Sequence, residues 1–291
     1  MAALRDVSVA QVERELARLR APDDGAPHLR TSVMTHMAWV PEEWLAAARA
    51  TLAGLGERHP SRTIVLVPEP GAGEDAIDAR LALEDFAVGG RHVCSEVIEL
   101  RLRGRRAQVP ASIVVPLLVA DLPVFLRWRG LPPFGEPELE QLAGVTDRLI
   151  VDSREWPDPA AGFRALAGYL ARTAVSDIAW GRTLPWRRAL AALWPGIADV
   201  SELRVAGPAA EALLLCGWLR ARLGRAVALS GVERDEVERV DVDGQAVVAP
   251  ALELRTPSDL LSDELDRLDR DPVYEAALQA APSQRCLAPG S

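Results

Sequence analysis

The sequence predicts an α/β protein, with a mainly parallel, doubly wound sheet and a second, smaller α/β (α+β) domain at the C-terminal end. Three observations predict it. Apolar runs of strand length alternate with helical periodicity between residues 31 and 174. The run RTIVLV (62–67) shows no polar alternation, as expected of a strand covered on both faces. The 291 residues, at roughly 100–200 per domain, leave room for two cores. The boundaries read as an N-terminal helix and linker (1–30), a main domain (31–195), a smaller domain (196–256), and a C-terminal helix and tail (257–291).

Residues 8–20 read as an amphipathic helix. Ser8 and Gln11 have capping-box spacing, and Val9, Val12, Leu16 and Leu19 form one stripe. A Pro/Asp/Gly linker covers 21–30. TSVMTHMAWV (31–40) reads as a strand, and Pro41 opens a helix carrying Leu45, Ala48, Leu52 and Leu55. After the 62–67 strand, residues 68–90 are rich in Gly, Pro and acids and start as a loop. CSEVIELRLRG (94–104) alternates and is expected to be half exposed. Residues 107–120 read as a short apolar helix, 123–129 as a strand, 137–144 as a helix and 148–153 as a strand. Residues 159–174 read as a helix opened by Asp158-Pro159.

Beyond the Trp/Arg-rich segment 180–194, SELRVAG (201–207) reads as a strand. Residues 208–224 form a helix apolar nearly all round, hence buried. Strands and an Asp243-Gly244 hairpin follow. Thr256-Pro257 starts a last helix with Leu261, Leu265 and Leu268, and the chain from 281 reads as loop.

Composition excludes several chemistries. All 33 basic residues are arginine, against 42 acids, for a net charge of −9. Lysine Schiff bases and P-loops are therefore ruled out, and a net negative chain opposes nucleic-acid binding. Cys94, Cys216 and Cys286 are isolated, which fits a reducing compartment and opposes a disulfide framework or a zinc site. No secretory leader pattern and no run of ~18 apolar residues is seen, so a cytoplasmic location without membrane association is expected.

Local motifs are weak. Gly71-x-Gly73-x-x-Ala76 resembles a dinucleotide fingerprint, yet Glu69, Glu74 and Asp75 place negative charge where a diphosphate would sit. Asp241-x-Asp243-Gly244 lacks the remaining ligands of a calcium loop. His28, His36, His59 and His92 show no metal-ligand spacing, and His36 reads as a structural side chain inside a strand. No cofactor is expected, and no catalytic residue can be located.

The distinctive feature is the company arginine keeps with tryptophan. Arg101, Arg103 and Arg105 share one face of a strand and its end. Arg127 and Arg129 alternate with Trp128, while Trp180, Arg182, Trp186, Arg187 and Arg188 fall within nine residues. Arginine suits bidentate contacts to carboxylate or phosphate, and both residue types anchor interfaces. In a parallel sheet, Arg127–Arg129 and Asp152–Ser153 would lie at the ligand-binding carboxyl ends of strands. Ion pairing with the abundant acids and burial of the indoles is the competing reading of each residue.

Read together and in order, TSVMTHMAWV, RHPSRTIVL, DLPVFLRWRG, SDIAWGRTLPWR and ALLLCGWLRARLG resemble the OpcA family, the glucose-6-phosphate dehydrogenase assembly proteins of actinobacteria and cyanobacteria. The similarity runs along nearly the whole chain. It implies a non-enzymatic assembly factor or allosteric activator whose partner is glucose-6-phosphate dehydrogenase, at the entry to the oxidative pentose phosphate pathway. The matching segments make Arg62, Arg127, Trp128, Arg129, Asp177, Trp180, Arg182, Trp186 and Arg187 the candidates for partner or anion binding. On this reading, Arg127→Ala or Trp186→Ala should weaken activation without unfolding the chain. The alternative is a sugar-phosphate or nucleotide sensor or enzyme that uses Arg127, Arg129 and Arg182.

Overall fold

The structure is a computed structural model that describes residues 2–20, 32–56, 58–88, 91–251 and 254–283, with backbone alone at 85–88 and 91–94. The linker expected at 21–30, the tail from 284, His28 and Cys286 lie outside the described residues, as do the side chains of His92 and Cys94.

In chain order the first elements are β1 (Ala2–Leu4), α1 (Val9–Leu19), β2 (Met34–Trp39), α2 (Leu45–Ala53), β3 (Ser61–Glu69), β4 (Ile77–Val88) and β5 (Arg91–Arg103). Then come α3 (Pro110–Val114), β6 (Val124–Trp128), α4 (Pro137–Ala143), β7 (Arg148–Val151), α5 (Pro159–Ala167), β8 (Ala174–Asp177), α6 (Ile178–Arg182) and α7 (Leu184–Ala191). The last are β9 (Glu202–Ala206), α8 (Ala209–Leu223), β10 (Ala228–Val232), β11 (Arg239–Val242), β12 (Gln245–Ala246), α9 (Pro257–Leu265) and α10 (Pro272–Ala280). The chain divides into two compact units, 1–150 with 256–268, and 151–255 with 269–291.

In the first unit the strand order is β1-β4-β5-β3-β2-β6-β7. Pairings from β5 through β7 are parallel, and those of β4 with β5 and β1 are antiparallel. This is the expected mainly parallel α/β sheet. All six residues of β2 are buried, as are the first seven of β3, which matches the absence of alternation in 62–67. The order reverses at β2, because β3 lies on one side of it and β6 on the other. α1 starts on the expected capping box, Ser8 N donating to Gln11 Oε1 at 2.7 Å and Gln11 N to Ser8 Oγ at 3.3 Å.

Several expectations need correction. The segment 68–90 starts as a loop, as expected, but the strand β4 that follows from Ile77 was not read, its alternation being masked by the acidic turn before it. β5 is an interior strand, not a half-exposed one. Glu96 and Glu99 are only 2% and 8% exposed, since arginines from neighbouring elements neutralise them. The 107–120 helix is broken into α3 and flanking 3-10 turns, with Pro116 in the second of them. α5 stops at Ala167, and the strand β8 follows where helix was expected to continue to 174. The 257 helix ends at Leu265, and the further helix α10 was not foreseen.

In the second unit the small sheet runs β10-β9-β11-β12, with β9 parallel to β10 and antiparallel to β11. The expected hairpin joins β11 to β12, and Asp243 and Gly244 both have positive φ (45° and 79°), the geometry of a type I′ turn. α8 buries every residue from Ala209 to Leu219, as its all-round apolar pattern requires. It packs closely on α10: a Cβ on Gly217 would lie 2.1 Å from the Ala277 carbonyl oxygen.

Candidate functional site

In the first unit, the reversal of strand order at β2 marks the place where a doubly wound sheet takes its ligands, outside the carboxyl ends of β2 and β6. Indoles occupy that place. Trp39 ends β2, Trp128 ends β6, and their rings stack with centroids 4.8 Å apart and planes 16° apart. Arg129 N donates to the Trp39 carbonyl at 3.0 Å, and the Arg129 guanidinium lies 4.8 Å from the Trp44 ring centroid. Arg127, 3% exposed, turns back to donate to the Trp128 carbonyl. Arg62, on β3, is 5% exposed; its Nε donates to Glu96 at 2.7 Å and its Nη1 to the Leu117 carbonyl at 2.6 Å.

In the second unit, β8 runs into α6 and sets Asp177 as its N-cap. The buried Asp177 Oδ1 accepts from Ala179 N at 2.9 Å and from Ser153 N at 3.0 Å. Burial, reinforced by the nearby Asp152 charge, pushes the Asp177 carboxyl up to about 7, against the pull of its hydrogen bonds. One helical turn on, Arg182 reaches Asp152 with two bonds, 2.8 and 2.9 Å. Trp180 donates its Nε1–H to Asp271 at 3.0 Å and rests against the buried Tyr274. Arg187 lies over the same indole, its guanidinium 3.5 Å from the Trp180 centroid, and donates to Thr183 Oγ1 at 2.9 Å. Trp186 is 2% exposed and belongs to the core.

The structure therefore groups Arg127, Trp128 and Arg129 in one unit, and Asp177, Trp180, Arg182, Trp186 and Arg187 in the other. Arg62 belongs to a separate ion-pair cluster of the first unit. All nine are buried or half-buried. Truncating Arg127 or Trp186 would disturb packed interior, so the expectation that either can be removed without unfolding is revised.

Sequence reasoning missed the centre of the second cluster. Arg154 binds the fully buried Glu211 through Nε and pairs with Glu236 through two bonds of 2.8 Å. Burial raises the Glu211 carboxyl to about 7, with Arg154 and Arg182 opposing. A signal was present: a lone glutamate in the apolar helix PAAEALLLCGWL needs a partner when buried. Elsewhere, the acid-rich loop pairs with the arginine face of β5. Glu74 binds Arg103 and Asp75 binds Arg105, the latter at 2.6 Å, and a strand rather than a helix follows. The loop therefore lacks the helix N-terminus that a diphosphate site needs.

Among the described residues, no group of three His, Cys, Asp or Glu is placed to hold a metal, and no helix is long and apolar enough to cross a membrane. Large apolar side chains do reach solvent. Trp194 is 66% exposed and Leu193 39%, just beyond α7.

Residues 53–168 match a family model described as the glucose-6-phosphate dehydrogenase subunit N-terminal domain, and residues 173–278 match the corresponding C-terminal domain. Two cyanobacterial relatives carry the name "Putative OxPP cycle protein OpcA". The one from Synechococcus elongatus is 30% identical over 144 residues, covering 45% of this chain and 32% of the relative. The one from Nostoc punctiforme is 26% identical over 179 residues, covering 57% and 38%. The matched stretch thus spans about a third of each relative.

Proposed function

Because the chain belongs to the OpcA family of glucose-6-phosphate dehydrogenase assembly proteins, we propose that it is a non-enzymatic assembly factor and allosteric activator of that dehydrogenase. The observation that carries this reading is that both family domains match, in order, over 53–168 and 173–278. The physical basis is linkage. A protein that binds the active arrangement of an oligomeric enzyme better than the inactive one shifts the population toward it. A coupling of about 1–3 kcal/mol changes apparent affinity ~5–150-fold.

The arginine–tryptophan clusters support this role as framework. They fix the ends of β6, β7 and β8 without offering a row of open cations. Contact with the dehydrogenase falls instead to exposed apolar side chains, of which Trp194 and the adjacent Leu193 lie between the matching segments SDIAWGRTLPWR and ALLLCGWLRARLG. The sensor reading is less favoured. Arg182 already gives two N–H bonds to Asp152, so a phosphate there would have to displace a bound carboxylate. Co-purification of the full chain with the host's glucose-6-phosphate dehydrogenase tests the proposal. A stable complex that weakens at least tenfold in Trp194→Ala supports it. Failure of the two proteins to associate removes it.

A further inference from the structure

The first unit contains a half-open cavity of about 240 Å³ between the sheet and the helices α2 and α9. Strand register explains it. His36, Thr63, Val97 and Ala82 lie side by side across β2, β3, β5 and β4. Three of these four side chains are small, so the helices above do not close down on the sheet. Leu52 and Leu55 from the α2 region and Leu265 from α9 complete an apolar wall.

The inner end is polar but uncharged. Ser61, Thr63 and Ser95 are 5%, 8% and 4% exposed, and the Ser61 and Thr63 hydroxyls are 3.2 Å apart. His59 Nε2 is engaged by Ser262 Oγ at 2.6 Å. His36 is 1% exposed, and its Nε2 has no hydrogen-bond partner among the described residues. Such a buried polar atom is costly unless something completes it. Burial, with Arg127 and then His59 nearby, holds the His36 imidazole down to about 3, so it is neutral at any ordinary pH. The charged lining residues are Arg49, Arg80, Glu84 and Glu99. Arg49 holds Glu99 by bonds of 2.9 and 2.6 Å, Arg80 is 60% exposed on its side chain, and Glu84 lies opposite Ser95 across β4 and β5, its carboxyl raised by burial.

We propose that this cavity is a binding site for a small uncharged heteroaromatic molecule, whose ring lies against the leucine wall and whose ring N–H or ring nitrogen meets His36 and the Ser61–Thr63 hydroxyls. A charged ligand is disfavoured at the His36 end, where the neutral imidazole and the Ser61 and Thr63 hydroxyls supply no countercharge to offset its desolvation. Size agrees: an apolar cavity of about 150 Å³ takes up benzene, so the larger volume here suits a fused bicycle. A polar inner end on an apolar chamber is the usual design of small-molecule sites, in which few polar groups set orientation.

The test uses the full chain and two neutral probes, indole and benzimidazole, with benzoate and benzylamine as charged counterparts. Binding is followed by the His36 imidazole NMR signal, assigned with His36→Gln, and by thermal shift. The expected result is saturable displacement of the His36 signal by a neutral bicycle with millimolar or better affinity, and no response to the charged pair. Ala82→Phe, which fills the chamber, should abolish binding while the variant stays folded. Thr63→Val, which keeps the shape and removes a hydroxyl, should weaken binding severalfold and keeps the test open if the larger variant fails to fold. Equal responses to neutral and charged probes, binding that survives Ala82→Phe, or a His36 signal that no probe moves would overturn the proposal. No dehydrogenase enters these measurements, so their failure is distinguishable from failure of the activator role.

Discussion

Arg182 holds Asp152 through two bonds of 2.8 and 2.9 Å, with the side chains only 21% and 8% exposed. The pair fixes α6 against the chain leaving β7. Removing one partner leaves a half-buried charge without its complement. Arg182→Ala should cost ~3 kcal/mol in chemical denaturation. Arg182→Lys should recover only part of that, because an ammonium cannot make the planar two-bond contact. A loss within ~0.5 kcal/mol would mean the pair behaves as a surface bridge.

The Asp177 carboxyl gives a signed pH dependence. Its folded value is raised from 3.8 to about 7, so between those values the folded state holds a proton that the unfolded state releases. The stability contributed is present below the unfolded value and is lost as pH rises through about 7. Melting temperature should therefore fall between pH 5.5 and pH 8. Asp177→Asn, which keeps an acceptor for Ser153 and Ala179, should flatten part of that slope; an unchanged slope would remove Asp177 as its source.

Gly217 tests the packing of the second unit. With Ala277 O 2.1 Å from the position of an added Cβ, Gly217→Ala must push α8 from α10. A loss of about 1–3 kcal/mol is expected, despite alanine's better helix propensity. A stabilised variant would contradict the close approach.

Trp186 and Trp194 should behave in opposite ways. Trp186 is buried, and Trp186→Ala should cost about 3–5 kcal/mol. Trp194 is 66% exposed, and Trp194→Ala should change stability by no more than ~0.5 kcal/mol. Under the activator proposal it should nevertheless lower dehydrogenase activation at least tenfold, as loss of an interface anchor does. Normal activation by a folded Trp194→Ala chain would move the contact surface elsewhere.

Much of this fold is legible from residue patterns. The unbroken apolar run of β3, the capping box of α1, the Asp243-Gly244 turn and the all-apolar α8 each follow from local rules. What hid the rest was charge. β5 reads as half exposed because Val97 and Glu99 oppose Ile98 and Leu100, yet Arg49 reaches Glu99, and Arg20 and Arg62 reach Glu96, from distant positions. β4 was obscured by the acids that precede it, and those acids exist to pair with Arg103 and Arg105. The arginine–tryptophan segments stood out in sequence for a sound reason, since they do form tight clusters. Their acidic partners, Asp152, Glu211 and Asp271, lie 30, 57 and 91 residues from the arginines or tryptophan they bind, a separation no spacing rule recovers.

The activator role is tested most directly by the initial rate of the host's purified glucose-6-phosphate dehydrogenase as the full chain is added at fixed enzyme concentration. An activator should give a saturable rise of ~5–150-fold in apparent activity or substrate affinity, with the chain alone inactive on glucose 6-phosphate and NADP. A flat titration with no complex formed, or turnover by the chain itself, would contradict it.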